Sequence, residues 1–242
     1  GAFLNARHVL FTFPPVPDAV RYQLQIVIFE GLAEPFDNDP IVDVEISRPR
    51  RIVREALEFG GSYVWRSRGL MADGSPGAWS AEYRFAVYAL PDELVGVASA
   101  ITNDPQAYQT GVTLCNLIGV PGGDEFHGAA FDQAGEIIWF LNATVWDIRL
   151  QRNGNLLYAG NGRAREIRLD GTEVWVGHEG AIDPHEAFEM PNGNVLAMKT
   201  TNVEVMRDDE FQTWRSQRLV EMTRSGETVW VWSALDYIST LD

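Results

Sequence analysis

The chain has 242 residues, 45% hydrophobic and 22% charged, with a formal net charge of −15. This length suits one large domain or two modest ones, and the composition excludes a disordered chain. The acidic balance argues against nucleic acid as a partner, because phosphate binding relies on clustered Lys and Arg, and against anionic membrane surfaces.

No apolar run approaches the ~20 residues that span a bilayer, so no membrane span is expected. The N-terminus shows no charged-then-apolar leader, and the expectation is that any signal peptide has been removed or never existed. Cys115 is the single cysteine, which excludes an intrachain disulfide and leaves the redox compartment open.

In chain order, residues 9–13 alternate weakly before Pro14-Pro15-Val16-Pro17 breaks the pattern. Residues 21–28 then alternate cleanly, with Tyr22, Leu24, Ile26 and Ile28 on one expected face. Gly60-Gly61 introduces a third alternating run over residues 62–68. A turn cluster at residues 72–77 and Trp79-Ser80 lead into a strand over residues 83–87. Strands at this spacing, with turn residues between them, predict a small β-sandwich. The run Tyr63-Val64-Trp65-Arg66-Ser67-Arg68, the Gly-rich turn, Trp79-Ser80 and Phe85 resemble the end of a fibronectin type III domain. A packing or spacer module is the expected role, since a fold alone does not give a function. Leu90-Pro91-Asp92-Glu93 breaks the last strand and sets the expected boundary between residues 1–90 and 91–242.

Beyond the boundary the chain repeats. Residues 129–139, 166–175 and 220–230 each show an alternating strand, a turn with Gly, and a strand ending in Trp139, Trp175 or Trp230. A second motif alternates with the first: Asn153-Gly154-Asn155-Leu156-Leu157 and Asn192-Gly193-Asn194-Val195-Leu196 are two copies of a hairpin. Its turn is expected because Asn and Gly tolerate positive φ. Together the motifs make four strands per repeat of ~40–45 residues, the pattern of β-propeller blades. The expected fold is all-β: a fibronectin-like sandwich, then about three four-stranded blades in an incomplete propeller. The three Trp residues are expected to pack between blades, where an aromatic buries a large area.

Aligning the two Asn-Gly turns sets His185 opposite Trp146 and Glu186 opposite Asp147. Each pair opens the first strand of its blade, which in a propeller lines the central channel where ligands bind. His185 is therefore the leading candidate. His127 could approach the channel but is more simply a loop or core residue, and His178 reads as a solvated loop residue. Asn142 and Arg149 are polar and strand-associated without further distinction. Asp208-Asp209-Glu210 lacks the ordered spacing of a calcium loop and reads as a solvated hairpin tip. No paired His motif, Cys cluster, phosphate loop or nucleophile elbow occurs, so neither a metal nor a cofactor is expected.

Three runs carry a family resemblance: Phe131-Asp132 with Gly135-Glu136-Ile137-Ile138-Trp139; Asp183-Pro184-His185-Glu186 with Pro191-Asn192-Gly193-Asn194-Val195-Leu196; and Val220-Glu221 with Gly226-Glu227-Thr228-Val229-Trp230-Val231-Trp232. Together they resemble the arylsulfate sulfotransferase family. The resemblance implies an N-terminal sandwich joined to a six-bladed propeller, and a secreted or periplasmic protein. It implies sulfuryl transfer from a phenolic sulfate ester to a phenol through a sulfated histidine, with no nucleotide donor. A neutral imidazole is an adequate nucleophile near neutral pH, and two steps lower each barrier.

On the same resemblance, His185 matches a channel-lining histidine of the family's His-His-Asp-like segment, with Pro184 where a second His stands. Glu186 and Trp146 are implied substrate contacts, Trp146 replacing the histidine one blade earlier. The nucleophilic histidine is expected in a segment following Asp236, outside these residues. Three blades would also leave an apolar face bare at each end. The expectation is that a further polypeptide segment or subunit completes the ring. The alternative is a non-catalytic propeller serving as a binding or assembly scaffold. A third reading, a quinoprotein-type propeller holding pyrroloquinoline quinone, rests on Gly171-Thr172-Glu173-Val174-Trp175 alone.

Overall fold

The computed structural model describes residues 1–31, 33–99, 110–119, 127–178, 182–207 and 210–237. They are all-β, in two compact units: Gly1–Val97 with Ile138–Phe140, and Ala98–Ile137 with Leu141–Asp242.

The first unit holds β1 (Ala2–Leu4), β2 (Val9–Thr12), β3 (Arg21–Ile28), β4 (Val42–Ile46), β5 (Arg50–Val53), β6 (Ser62–Leu70) and β7 (Tyr83–Val87). Five of them form a sheet in the order β1-β7-β6-β3-β4, and β2 pairs with β5 in a separate ribbon. Period-2 alternation builds the core between them: Phe11 and Val53 of the ribbon meet Leu24, Ile26, Tyr63, Phe85 and Val87 of the large sheet. The expected face of β3 holds at Tyr22, Leu24 and Ile26 but ends there. Ile28 is 47% exposed while Val27 is fully buried. Val27 pairs with Val64, which is also fully buried, so this end of the sheet is covered on the opposite face.

The remaining strands are β8 (Thr113–Leu117), β9 (His127–Phe131), β10 (Ile137–Leu141), β11 (Asp147–Leu150), β12 (Leu156–Gly160), β13 (Arg163–Ile167), β14 (Glu173–Val176), β15 (Ile182–Glu189), β16 (Val195–Arg207), β17 (Glu210–Met222) and β18 (Thr228–Ser233). They make three blade-like sheets: β10-β9-β8, β11-β12-β13-β14 and β15-β16-β17-β18. The first has three strands among the described residues; the other two have the expected four. The leading strands β8, β11 and β15 neighbour one another in that order, as innermost strands of successive blades do. Leu157, Ala159 and Ala164 of the second blade pack on Ile182, Ala187, Val195, Ala197, Val220 and Met222 of the third. Small residues at Ala159, Ala164, Ala187 and Ala197 let the two sheets approach closely.

The Trp expectation holds in part. Trp175 packs on the inter-blade cluster, its indole N–H donating to the Arg224 carbonyl at 2.7 Å, while Trp139 is buried on β10, outside that cluster. Trp230 is 47% exposed, because it lies on β18, the outer strand of its sheet. Arg224 staples the same seam. Its guanidinium donates to Glu166 at 2.6 Å and Glu189 at 2.9 Å, and lies 4.6 Å over the Trp175 ring.

The Asn-Gly-Asn turns work differently from expectation. Gly154 and Gly193 alone take the positive φ, at 86° and 84°. In each turn the first Asn side chain accepts the second Asn's backbone N–H, at 2.9 Å for Asn153 and 3.0 Å for Asn192. Both Asn amides then donate to one carboxylate oxygen two strands away. Asn153 and Asn155 hold Glu166 at 2.9 and 2.6 Å, and Asn192 and Asn194 hold Glu221 at 2.9 and 2.6 Å. The motif thus ties the first hairpin of a blade to its third strand.

Strand β16 runs far past the short expected run. Its 13 residues pair with the 13 of β17 from Val195↔Met222 to Arg207↔Glu210. Their far halves form a two-stranded arm extending beyond the start of β15, which reaches only Lys199 on β16. Of the acidic run at the tip, Asp208 and Asp209 lie outside the described residues, and Glu210 ends the arm. No helix among the described residues is long and apolar enough to cross a membrane.

Candidate functional site

His185 owes its position to a break in the β15 ladder. Ile182 pairs with Lys199 and Ala187 with Ala197, so four residues, 183–186, stand opposite Met198 alone. Pro184 explains the break, since it has no N–H to give to the ladder. Asp183 fills the gap by accepting the His185 backbone N–H at 3.2 Å. Such a wide bulge re-aims side chains at a strand end.

The bulge brings Asp183 and His185 together. Asp183 is 4% exposed, and its Oδ1 is hydrogen-bonded to Nδ1 of His185. Its other oxygen accepts from Thr200 at 2.8 Å and Gln217 at 3.4 Å, cross-strand partners at the base of the arm. Arg215, two residues further along β17, brings its guanidinium to 3.8 Å. Burial works against the Asp183 charge, but the hydrogen bonds from His185, Thr200 and Gln217 outweigh it and pull the carboxyl down to about 2. A permanent carboxylate on Nδ1 orients the ring and leaves Nε2 outward, and the His185 side chain is 60% exposed.

Trp146 stands beside the His185 ring, and Glu186 follows His185 in the chain. The Trp146 ring, just before β11, sits 5.0 Å from the His185 ring. Glu186 accepts from Arg149 at 2.7 Å, and Arg149 also donates to Asp147 at 3.0 Å. The hydrogen bond to Asp147, together with both carboxylates' charge, raises the Arg149 guanidinium further above its ordinary range. Asp147 in turn accepts the Ala187 N–H at 3.2 Å. Two leading strands of neighbouring blades are thus cross-linked beside the imidazole. A separate cavity of about 370 Å³ is lined by Arg149, Arg152, Phe188 and Met190 near the turn end of these strands, and His185 is not part of its wall.

The other histidines lie elsewhere. His127 is 1% exposed on β9, the middle strand of its sheet, and its ring nitrogens have no hydrogen-bond partner among the described residues. His178 is exposed and packs against Gly226, in the β17–β18 turn. Among the described residues no three His, Cys, Asp or Glu side chains converge as a metal site would require.

Sequence reasoning singled out His185, Glu186 and Trp146, which the structure brings together, and Arg149 without assigning it a role. It missed Asp183, Thr200, Gln217 and Arg215. The Asp-Pro-His run was a readable signal for Asp183, because a proline inside a strand marks a break in its ladder. No comparable signal marked the other three.

The chain matches the family model described as Arylsulfotransferase (ASST) over residues 99–242. No curated protein matches it. Among solved structures, a protein of unknown function from Bacteroides caccae is similar at 12% identity, covering 90% of this chain and 96% of that one. Its TM-score is 0.27.

Proposed function

The chain belongs to the arylsulfotransferase family, and from that premise we propose that the cluster at the head of β15 forms part of a site moving a sulfuryl group from an aryl sulfate to a phenol. The observation that carries the reading is the buried Asp183 on Nδ1 of an imidazole that is 60% exposed, with the Trp146 ring 5.0 Å away. Nε2 of His185 exchanges the proton of the phenolic oxygen, taking it from the acceptor and returning it to the leaving phenolate. Trp146 offers an aromatic face to the aryl ring, and the outer guanidinium of Arg215 counters sulfate charge. The sulfur–oxygen bond of the donor breaks as a sulfur–nitrogen bond forms on a second histidine, and the acceptor phenol then reverses the exchange. That sulfohistidine is what the family resemblance implies.

The test uses the full-length protein with 4-nitrophenyl sulfate and a phenol acceptor. His185→Ala lowers kcat by about 100-fold or more, in the range of a lost acid–base group. Trp146→Ala mainly raises KM. Unchanged turnover in His185→Ala removes the residue from the site. The second reading, a non-catalytic scaffold, draws on Trp146 standing where the family implies a histidine. A mass-tagged sulfate donor separates the two, since the enzyme acquires a labile sulfohistidine and the scaffold does not.

The family reading also favours a secreted or periplasmic protein, with residues 1–90 a fibronectin-like module and 91–242 its blades. A further segment or subunit covering the last blade is supported by Val229, Trp230 and Val231, which are 49%, 47% and 49% exposed on β18.

A further inference from the structure

The first unit carries a groove of about 1020 Å³ to which the transfer chemistry assigns no role. It opens where both sheets of the sandwich end. β4 is the edge of the five-stranded sheet, and among the described residues β5 pairs with β2 alone, so each leaves backbone groups open on its other side, although the Arg50 N–H already donates to the Arg48 carbonyl at 2.7 Å. The inner wall is apolar. Ile41, Val42 and Val44 pack on the core yet stay only half-buried, because nothing among the described residues caps them.

The mouth is basic. Four of residues 48–54 are Arg, in a chain whose net charge is −15. Arg50, Arg51 and Arg54 line the groove, and none has an ion-pair partner among the described residues. Arg51 stands across from Phe11 as Val53 stands across from Val9, so alternation sets Arg51 on the core-facing side of the ribbon. On the lining, Asp43 accepts from the neutral amides of Gln23 at 2.5 Å and Gln25 at 2.9 Å. Glu55 is the remaining acid on the lining.

We propose that this groove binds an extended acidic polypeptide segment, which adds a strand to the free edge of β5. Backbone bonds to β5 supply affinity, and side chains alternate between the apolar wall and the arginines. The four residues of β5 set the paired length at about 13 Å, at ~3.3 Å per residue. A sulfated glycan would satisfy the arginines but leave the strand edge unpaired and the apolar wall wet. Binding of any acidic segment to a chain of this net charge has to come from a local cationic feature, and this cluster is one.

The experiment is fluorescence anisotropy on the whole chain with a dye-labelled, acetylated Val-Glu octapeptide. Its controls are a Val-Lys octapeptide, heparin, and two Val-Glu octapeptides N-methylated at alternate positions, one on each strand edge. The expected result is salt-sensitive binding of the Val-Glu peptide and none of the Val-Lys peptide. One N-methylated peptide loses at least tenfold in affinity and the other keeps it. Arg51→Glu with Arg54→Glu weakens binding at least tenfold, with an unchanged melting curve. The methylated pair is read on the unmutated chain, so the test stands if that variant does not fold. Absent binding of the Val-Glu peptide overturns the proposal. So does equal binding of the two methylated peptides, or heparin binding without peptide binding, which would make the groove a polyanion surface.

Discussion

Asp183→Asn tests the site through stability, with no substrate needed. The Asp183 carboxyl is 4% exposed and lies at about 2 in the folded chain, against 3.8 for a free aspartate. At roughly 1.4 kcal/mol per pH unit of displacement, that depression stabilises the folded state by about 2 kcal/mol at neutral pH. The folded value is lowered, so the contribution is present in full above pH 4 and fades as pH falls towards 2. Roughly half is gone by pH 3, on the same linkage. Asn keeps the shape and an accepting oxygen but carries no charge at any pH. Urea unfolding of both proteins from pH 7 to pH 2.5 isolates the term, because every other carboxylate titrates in both. The variant is expected to be less stable by about 2 kcal/mol at pH 7, with the gap narrowing to about 1 kcal/mol near pH 3. A gap that stays constant across the range would refute the claim that hydrogen bonds from His185, Thr200 and Gln217 hold this carboxylate ionised.

The seam between blades gives a second prediction. Arg224→Ala strands the Glu166 carboxylate, 5% exposed, without its ion pair. It should cost about 3–5 kcal/mol by urea unfolding, with the double change Arg224→Ala and Glu166→Gln costing less than the single one. The two Asn clamps differ in burial. Asn155→Ala should lower stability by about 1–3 kcal/mol, because it leaves a buried carboxylate short of a donor. The matching Asn194→Ala at the more open Glu221 should shift the urea midpoint less. Finally, burial pushes the Cys115 thiol above its ordinary value, so its alkylation by iodoacetamide at pH 8 should run slower than that of free cysteine and reach the free rate in urea.

Strands, turns and repetition are local properties, and they could be read from the residues. Alternation with period 2 marked β3, β6 and β7, and the recurring Gly turns marked the blades. The alignment of the two Asn-Gly turns was enough to bring His185 and Trp146 into register, because equivalent positions in successive blades become neighbours once the leading strands lie side by side. Where the local reading went astray, a partner from elsewhere in the chain decided. Ile28 is exposed and Val27 buried through what covers the sheet at Val64, and Trp230 is exposed through its place on an outer strand. The short apolar run at Val195 became a 13-residue strand because β17 supplies a pairing partner along its whole length.

The amino-acid order by itself determined that this protein is all-β, that its second part is built of repeated blades, and that His185 opens one of them. Only the tertiary structure decided what that histidine is. Its buried carboxylate is two residues away, but the donors that keep Asp183 charged, Thr200 and Gln217, are 17 and 34 residues distant. The Asn-Gly-Asn turn shows the same division. Its Gly serves the local backbone and was legible for that reason, whereas its two Asn amides serve Glu166 and Glu221 on another strand. A backbone conformation is a preference each residue carries with it. A hydrogen-bond partner, a burial or an unpaired edge belongs to whichever segments folding brings together, and no single stretch of sequence contains it.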